Sequence, residues 1–168
     1  MKKVIGLLAA ACLVLGASGV EAAQGFNNKN LYGGAGLGYN SASGLDSAIG
    51  FQFFGGYTFG EVQPRLSVDA EVGYMDSGNM TRTVCTLGVC ATGSAKATGL
   101  WATGVARYSL SPTMELIGRA GFDFGDDDGF MFGVGLGFPV NKQVTLRGEL
   151  VERQNIESLQ FNAVFRFQ

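Results

Sequence analysis

Hydrophobic residues recur along this chain with a period of two. The plainest example is the final stretch, LQFNAVFRFQ, residues 159–168, where Leu159, Phe161, Ala163, Phe165 and Phe167 alternate with Gln160, Asn162, Val164, Arg166 and Gln168. Successive side chains of a strand point to opposite faces, so this pattern predicts a strand with one apolar and one mostly polar face. Seven further segments repeat it: 31–39, 49–59, 66–74, 100–110, 114–124, 130–140 and 144–150. No segment approaches the ~18 consecutive apolar residues of a membrane-spanning helix.

The second parity decides which face points inward. One parity of each strand is apolar or aromatic, as in Ile49, Phe51, Phe53, Tyr57 and Phe59, or Phe130, Phe132, Val134, Leu136 and Phe138. The other holds Asp69, Glu71, Arg107, Glu115, Arg119, Asp123, Arg147, Glu149 and Arg166 among Gly, Gln, Ser and Thr. A soluble barrel would put these charges in water and favour lysine there. Lys29, Lys96 and Lys142 all lie outside the eight segments, and the strand charges are mixed in sign, as an enclosed space requires. The inverted arrangement satisfies both facts: apolar residues face lipid and charged residues fill a lumen. In hydrocarbon the sheet must close on itself. The expected fold is all-β, a transmembrane antiparallel up-and-down barrel of eight strands.

Connections and ends agree with this. The segments GEVQPR, SPT and NK read as short turns, whereas NSASGLDSA, residues 75–99, GDDDG and ERQNIES read as longer loops facing the other way. Tyr39, Tyr57, Phe59, Tyr74, Tyr108 and Phe167 fall near strand ends, as interfacial aromatics do. The first residues combine Lys2 and Lys3 with an apolar run and a small-residue stretch ending near Ala22 and Ala23. That is the anatomy of a secretory signal, expected to span 1–22, with a barrel domain at 23–168. Cleavage would remove Cys12 and leave 10 of the 12 basic and 13 of the 14 acidic residues, a net charge of −3.

The chemistry on offer is limited. With no histidine in the chain, imidazole relays are excluded, so no catalytic residues, metal ligands or cofactor are expected. A sequence pI near 5.1 argues against nucleic acid. Asp126, Asp127 and Asp128 read as a solvated hairpin loop, with weak binding of a divalent cation such as Ca²⁺ or Mg²⁺ as the lesser alternative. Cys85 and Cys90, the pair left in an oxidising compartment, are expected to form a small disulfide bracing the longest loop. Trp101 reads as luminal packing. Phe51, Phe53, Phe54 and Tyr57 form a dense aromatic patch suited to lipid, although Phe54 also fits the luminal parity.

The stretches LYGGAGLGYN, GFQFFGGYTFG and FNAVFRF make the chain resemble the small eight-stranded outer-membrane barrels of the OmpA and OmpX type, over about residues 29–168. That resemblance implies a C-terminal assembly signal, here Phe161, Phe165 and Phe167, read by the barrel-assembly machinery. Gln168 follows the last aromatic, a departure from the family pattern. It further implies a monomer in the outer membrane of a Gram-negative bacterium, with periplasmic termini, among outer-membrane lipid and lipopolysaccharide. The expected function is non-catalytic: a barrel with a charge-plugged lumen whose extracellular loops serve surface interaction, with a host or cell-surface ligand, or envelope integrity. The alternative is a narrow porin-like channel for small solutes.

Overall fold

The computed structural model describes residues 28–87 and 89–167; the expected signal segment, its cleavage positions and Gln168 lie outside them. After one 3-10 turn at Asn28–Asn30 come ten strands: β1 (Leu31–Ala42), β2 (Ala48–Gln63), β3 (Leu66–Asp76), β4 (Met80–Thr86), β5 (Val89–Ala95), β6 (Thr98–Ser111), β7 (Met114–Gly125), β8 (Gly129–Pro139), β9 (Val144–Glu152) and β10 (Ile156–Arg166). Eight of them close an antiparallel barrel in the order β1-β10-β9-β8-β7-β6-β3-β2. The closing seam pairs Tyr32 with Arg166 through to Ala42 with Ile156 without a break.

All eight strands expected from periodicity are present, and the apolar parity is the outer one. Leu37, Phe51, Phe53, Phe122, Phe130 and Phe161 are exposed on the outside of the wall, as are Tyr39, Phe59, Tyr108 and Phe167 near its rims. Phe54 breaks with the outward patch: it turns inward and is buried, because its parity is that of Gln52 and not that of its aromatic neighbours.

The connections depart from the alternation of long and short. Strands run further toward the loop side than periodicity indicated, leaving only residues 43–47, 126–128 and 153–155 outside them. The stretch at 75–99 is not an irregular loop but carries a second sheet, the β4–β5 hairpin, in unbroken register from Met80↔Ala95 to Thr86↔Val89. Almost every residue of the hairpin is exposed. With water on both faces there is no apolar alternation, and periodicity has nothing to report.

Glycine places the large luminal side chains. Tyr32 is registered with Gly56 and Phe54 with Gly34 on the neighbouring strands, and a Cβ at either glycine would overlap the ring lying on it, at 2.2 and 2.3 Å. Trp101 lies in the same way on Gly73, its partner across β3 and β6. Three aromatic rings thus lie flat against the inner wall, and Phe54 and Trp101 meet at 5.7 Å.

The two ends of the lumen differ. At the loop side Met75, Met80, Ala97, Met131, Val151 and Ile156 are buried in one apolar cluster. At the end that carries the termini lies an open vestibule of about 430 Å³ lined by Arg65, Ser109, Leu110, Ser111, Glu115 and Pro139.

Candidate functional site

Between these ends lies a layer of buried charge. Arg107, on β6, grips Asp69 on β3 through both oxygens, Nε to Oδ2 at 2.6 Å and Nη2 to Oδ1 at 3.0 Å, and reaches Glu115 on β7 with Nη1 at 3.1 Å. A two-pronged guanidinium contact fixes orientation as well as charge. Arg147 donates from Nη1 to Glu71 Oε1 at 2.6 Å. Arg119 Nη2 lies 3.2 Å from Glu71 Oε2 and 2.7 Å from Glu149 Oε2. The Tyr32 hydroxyl donates to Glu71 at 2.7 Å and reaches Asp69 at 3.2 Å.

Glu71 is the hub. From β3 it holds partners on β1, β7 and β9, and β9 stands directly across the barrel from β3 in the strand order. One carboxylate therefore ties opposite walls together. Arg119 lies over the Trp101 ring at 5.4 Å and Arg147 over the Tyr32 ring at 5.6 Å, so both guanidinium planes are also held by the aromatics that the glycines admit. Asn162 donates to Glu149 at 3.2 Å, and Gln52 donates to both Gln160 and Asn162, extending the network with neutral groups.

Eight of the nine charges singled out by parity make direct ion pairs in this interior. The ninth, Arg166, sits half-buried at the terminus-side end and makes no ion pair among the described residues. Asp123 pairs with Arg153, which the sequence did not mark. Arg153 belongs to the connection after β9, outside any periodic segment, yet its side chain is buried. Five acids then face five arginines in this interior rather than four. Tyr32 also went unmarked, since β1 is so rich in glycine that parity alone does not identify its inner face.

At the loop side the Cys85 and Cys90 sulfurs lie 1.98 Å apart, bonded across a directly facing pair of β4 and β5. Thr83 and Thr92 hydroxyls meet at 2.9 Å in the pair but one below. Lys96 and Asp76 form a 2.7 Å ion pair at the hairpin base, and the hydrogen bond that the Lys96 ammonium donates to Asp76 holds it above its ordinary pKa. The three aspartates of GDDDG serve separate structural ends. Asp126 accepts from Thr98, Asp127 from Asn155, and Asp128 from Gly125 within its own turn. Among the described residues no three Asp, Glu or Cys side chains converge as a metal site would need.

A profile of the outer membrane protein beta-barrel domain matches residues 10–165. The chain belongs to that family. It is thus an outer-membrane β-barrel, and its exposed aromatic wall faces lipid. Among solved structures it is similar to a de novo designed transmembrane β-barrel, with a TM-score of 0.56 and 18% identity over 84% of this chain and 98% of that one. The outer membrane protein Ail of Yersinia pestis, in a phospholipid bilayer nanodisc, gives a TM-score of 0.52 and 13% identity over 81% and 99% of the two chains. At such identities the likeness is one of fold. No curated protein sequence matches the chain.

Proposed function

We propose that this outer-membrane barrel is a non-catalytic surface protein, monomeric within its membrane, whose lumen is plugged by the charge network and whose loop-side end, with the β4–β5 hairpin, is displayed outside the cell. The observation that supports this reading is the span of Glu71, whose carboxylate is bonded to arginines from β7 and β9 and to a tyrosine from β1. A solute would have to break these contacts to pass, and above them the Met75, Met80 and Met131 cluster adds an apolar stopper. Eight strands leave an interior that side chains fill.

In this reading residues 1–22 direct export and are removed, and the termini and the vestibule lie in the periplasm. Phe161, Phe165 and Phe167 offer the assembly machinery an aromatic edge, and the rim aromatics sit among lipid and lipopolysaccharide. The displayed hairpin serves adhesion to a host or cell surface, or the integrity of the envelope.

Planar-bilayer conductance of the refolded mature protein tests the plug, alongside a variant carrying Arg107→Ala and Arg119→Ala. The wild type is expected to be silent. Steady wild-type openings that change in the variant would make the lumen the functional site and the protein a narrow channel.

A further inference from the structure

The hairpin presents an unusual edge. Strand edges in soluble settings are blunted by charges, prolines or bulges, because a free row of backbone donors and acceptors recruits another strand. β5, with the sequence VCATGSA, has no charge, no proline and no register shift, and all seven of its residues are exposed. β4 carries Arg82, and its edge is partly occupied: the Asp46 N–H donates to the Thr81 carbonyl at 2.7 Å. Among the described residues nothing bonds the outer edge of β5.

The register says which groups that edge offers. Cys85 and Cys90 face each other with Cα atoms 4.0 Å apart, the close spacing of an antiparallel pair that does not exchange main-chain hydrogen bonds. Cys90, and with it Thr92 and Ser94, therefore point their N–H and C=O groups away from β4. The Thr81 carbonyl, which accepts from the Asp46 N–H and not from its partner Ser94, fits the same phase. The Cys85–Cys90 bond and the Thr83–Thr92 contact hold this row in place before any partner arrives.

We propose that β5 is a self-pairing edge, through which two copies of this chain join antiparallel into one four-stranded sheet centred on Thr92. The occupant is a second copy because the row is complementary to itself. With Thr92 opposite Thr92 of the second copy, Cys90 meets Ser94 and Ser94 meets Cys90, each pair exchanging both of its main-chain hydrogen bonds. The intervening positions oppose Ala91 to Gly93 and Val89 to Ala95, so no charge meets a like charge and no large side chains collide.

The geometry also places the two barrels. β5 runs from the hairpin tip at Val89 toward the barrel at Ala95, so antiparallel pairing sets the tip of one hairpin against the base of the other. The barrels then lie at opposite ends of the joined sheet, an arrangement met by copies in facing membranes. This deepens the display reading by naming the partner of the hairpin, and it does not depend on whether the lumen conducts.

The test uses phosphatidylcholine vesicles carrying the refolded mature protein, followed by light scattering and by mixing two fluorescently labelled populations. Wild-type vesicles are expected to cluster with one another and not with protein-free vesicles. Thr92→Lys puts two lysines face to face at the centre and is expected to reduce clustering about tenfold. Val84→Lys, at an exposed position of β4, leaves the edge open and should cluster like the wild type. The sharpest arm mixes Thr92→Lys with Thr92→Asp vesicles, which should cluster with each other while each alone does not. The proposal is overturned if wild-type vesicles stay dispersed, if they bind protein-free vesicles equally, or if Thr92→Lys clusters undiminished.

Discussion

The barrel wall and the β4–β5 hairpin are both antiparallel sheet in unbroken or nearly unbroken register, yet they are held by different means. In the wall every strand has two neighbours, an apolar face against lipid and an inner face locked by buried ion pairs and flat aromatic rings. The hairpin has one neighbour per strand, water on both sides, and a covalent bond where the wall has packing. A lone two-stranded hairpin is marginal in water. Strand pairing alone stabilises neither region: closure and burial hold the wall, and Cys85–Cys90 holds the hairpin.

The largest expected effect comes from breaking the wall's inner network at its hub. Glu71→Gln removes the one carboxylate that Arg147 pairs with directly among the described residues and leaves Glu149, already paired with Arg119, as its more distant counter-charge. Removing one partner of a buried ion pair costs about 3–5 kcal/mol, so the midpoint of urea unfolding in lipid should fall markedly. An unchanged midpoint would mean the network is dispensable to the wall.

A smaller effect, and a direct contrast between the regions, comes from the same substitution at two glycines. A Cβ at Gly73 would lie 2.5 Å from the Trp101 ring and 2.8 Å from the Phe53 carbonyl oxygen, so Gly73→Ala should cost the barrel about 1–3 kcal/mol through overpacking. At Gly93, in β5, a Cβ meets nothing within 4 Å, and Gly93→Ala should leave barrel stability unchanged. Equal effects at both sites would erase the distinction between packed wall and free hairpin.

The same contrast explains what was legible in the sequence. The wall was readable because its two faces differ chemically: period two located the eight strands, and the mixed-sign charges on one parity identified the lumen. Asp69, Glu71, Arg107, Glu115, Arg119, Asp123, Arg147 and Glu149 meet because parity alone puts them in one small space. What parity cannot supply is pairing, since Glu71 and Arg147 are joined across the barrel by closure rather than by spacing. Arg153 was missed for a related reason: it enters the lumen from a connection, where no periodicity assigns a side. The hairpin was missed because its two faces are alike, leaving alternation with no signal to give. Cys85 and Cys90 were the marks of it, and their spacing fits a hairpin as well as a loop.

Smaller again, and confined to the hairpin, is the loss of its bond. Closing so short a loop is worth about 2 kcal/mol in a chain-entropy account. Reduction, or Cys85→Ser with Cys90→Ser, should raise amide hydrogen exchange across Val89–Ala95 while barrel amides and β-sheet circular dichroism stay as they were. Loss of the barrel signal on reduction would show that the wall leans on the hairpin.

The smallest effect is expected where the two regions join. Lys96 bonds Asp76 at 2.7 Å, but its side chain is 45% exposed, and solvent screens such a pair. Its sign with pH is nevertheless definite. The hydrogen bond donated to Asp76 raises the Lys96 pKa above the ordinary 10.5, so the folded hairpin base binds this proton more tightly than the unfolded chain does. The contribution is therefore fully present below pH 10.5 and lost as pH rises through the raised value. The Lys96 side-chain carbon shifts, followed by NMR, should titrate higher in the wild type than in Asp76→Asn. A titration that ignores the substitution would mean that the junction owes nothing to this pair and is held by the bonds from Ser77 N–H to the Ala97 carbonyl and from Asp46 N–H to the Thr81 carbonyl.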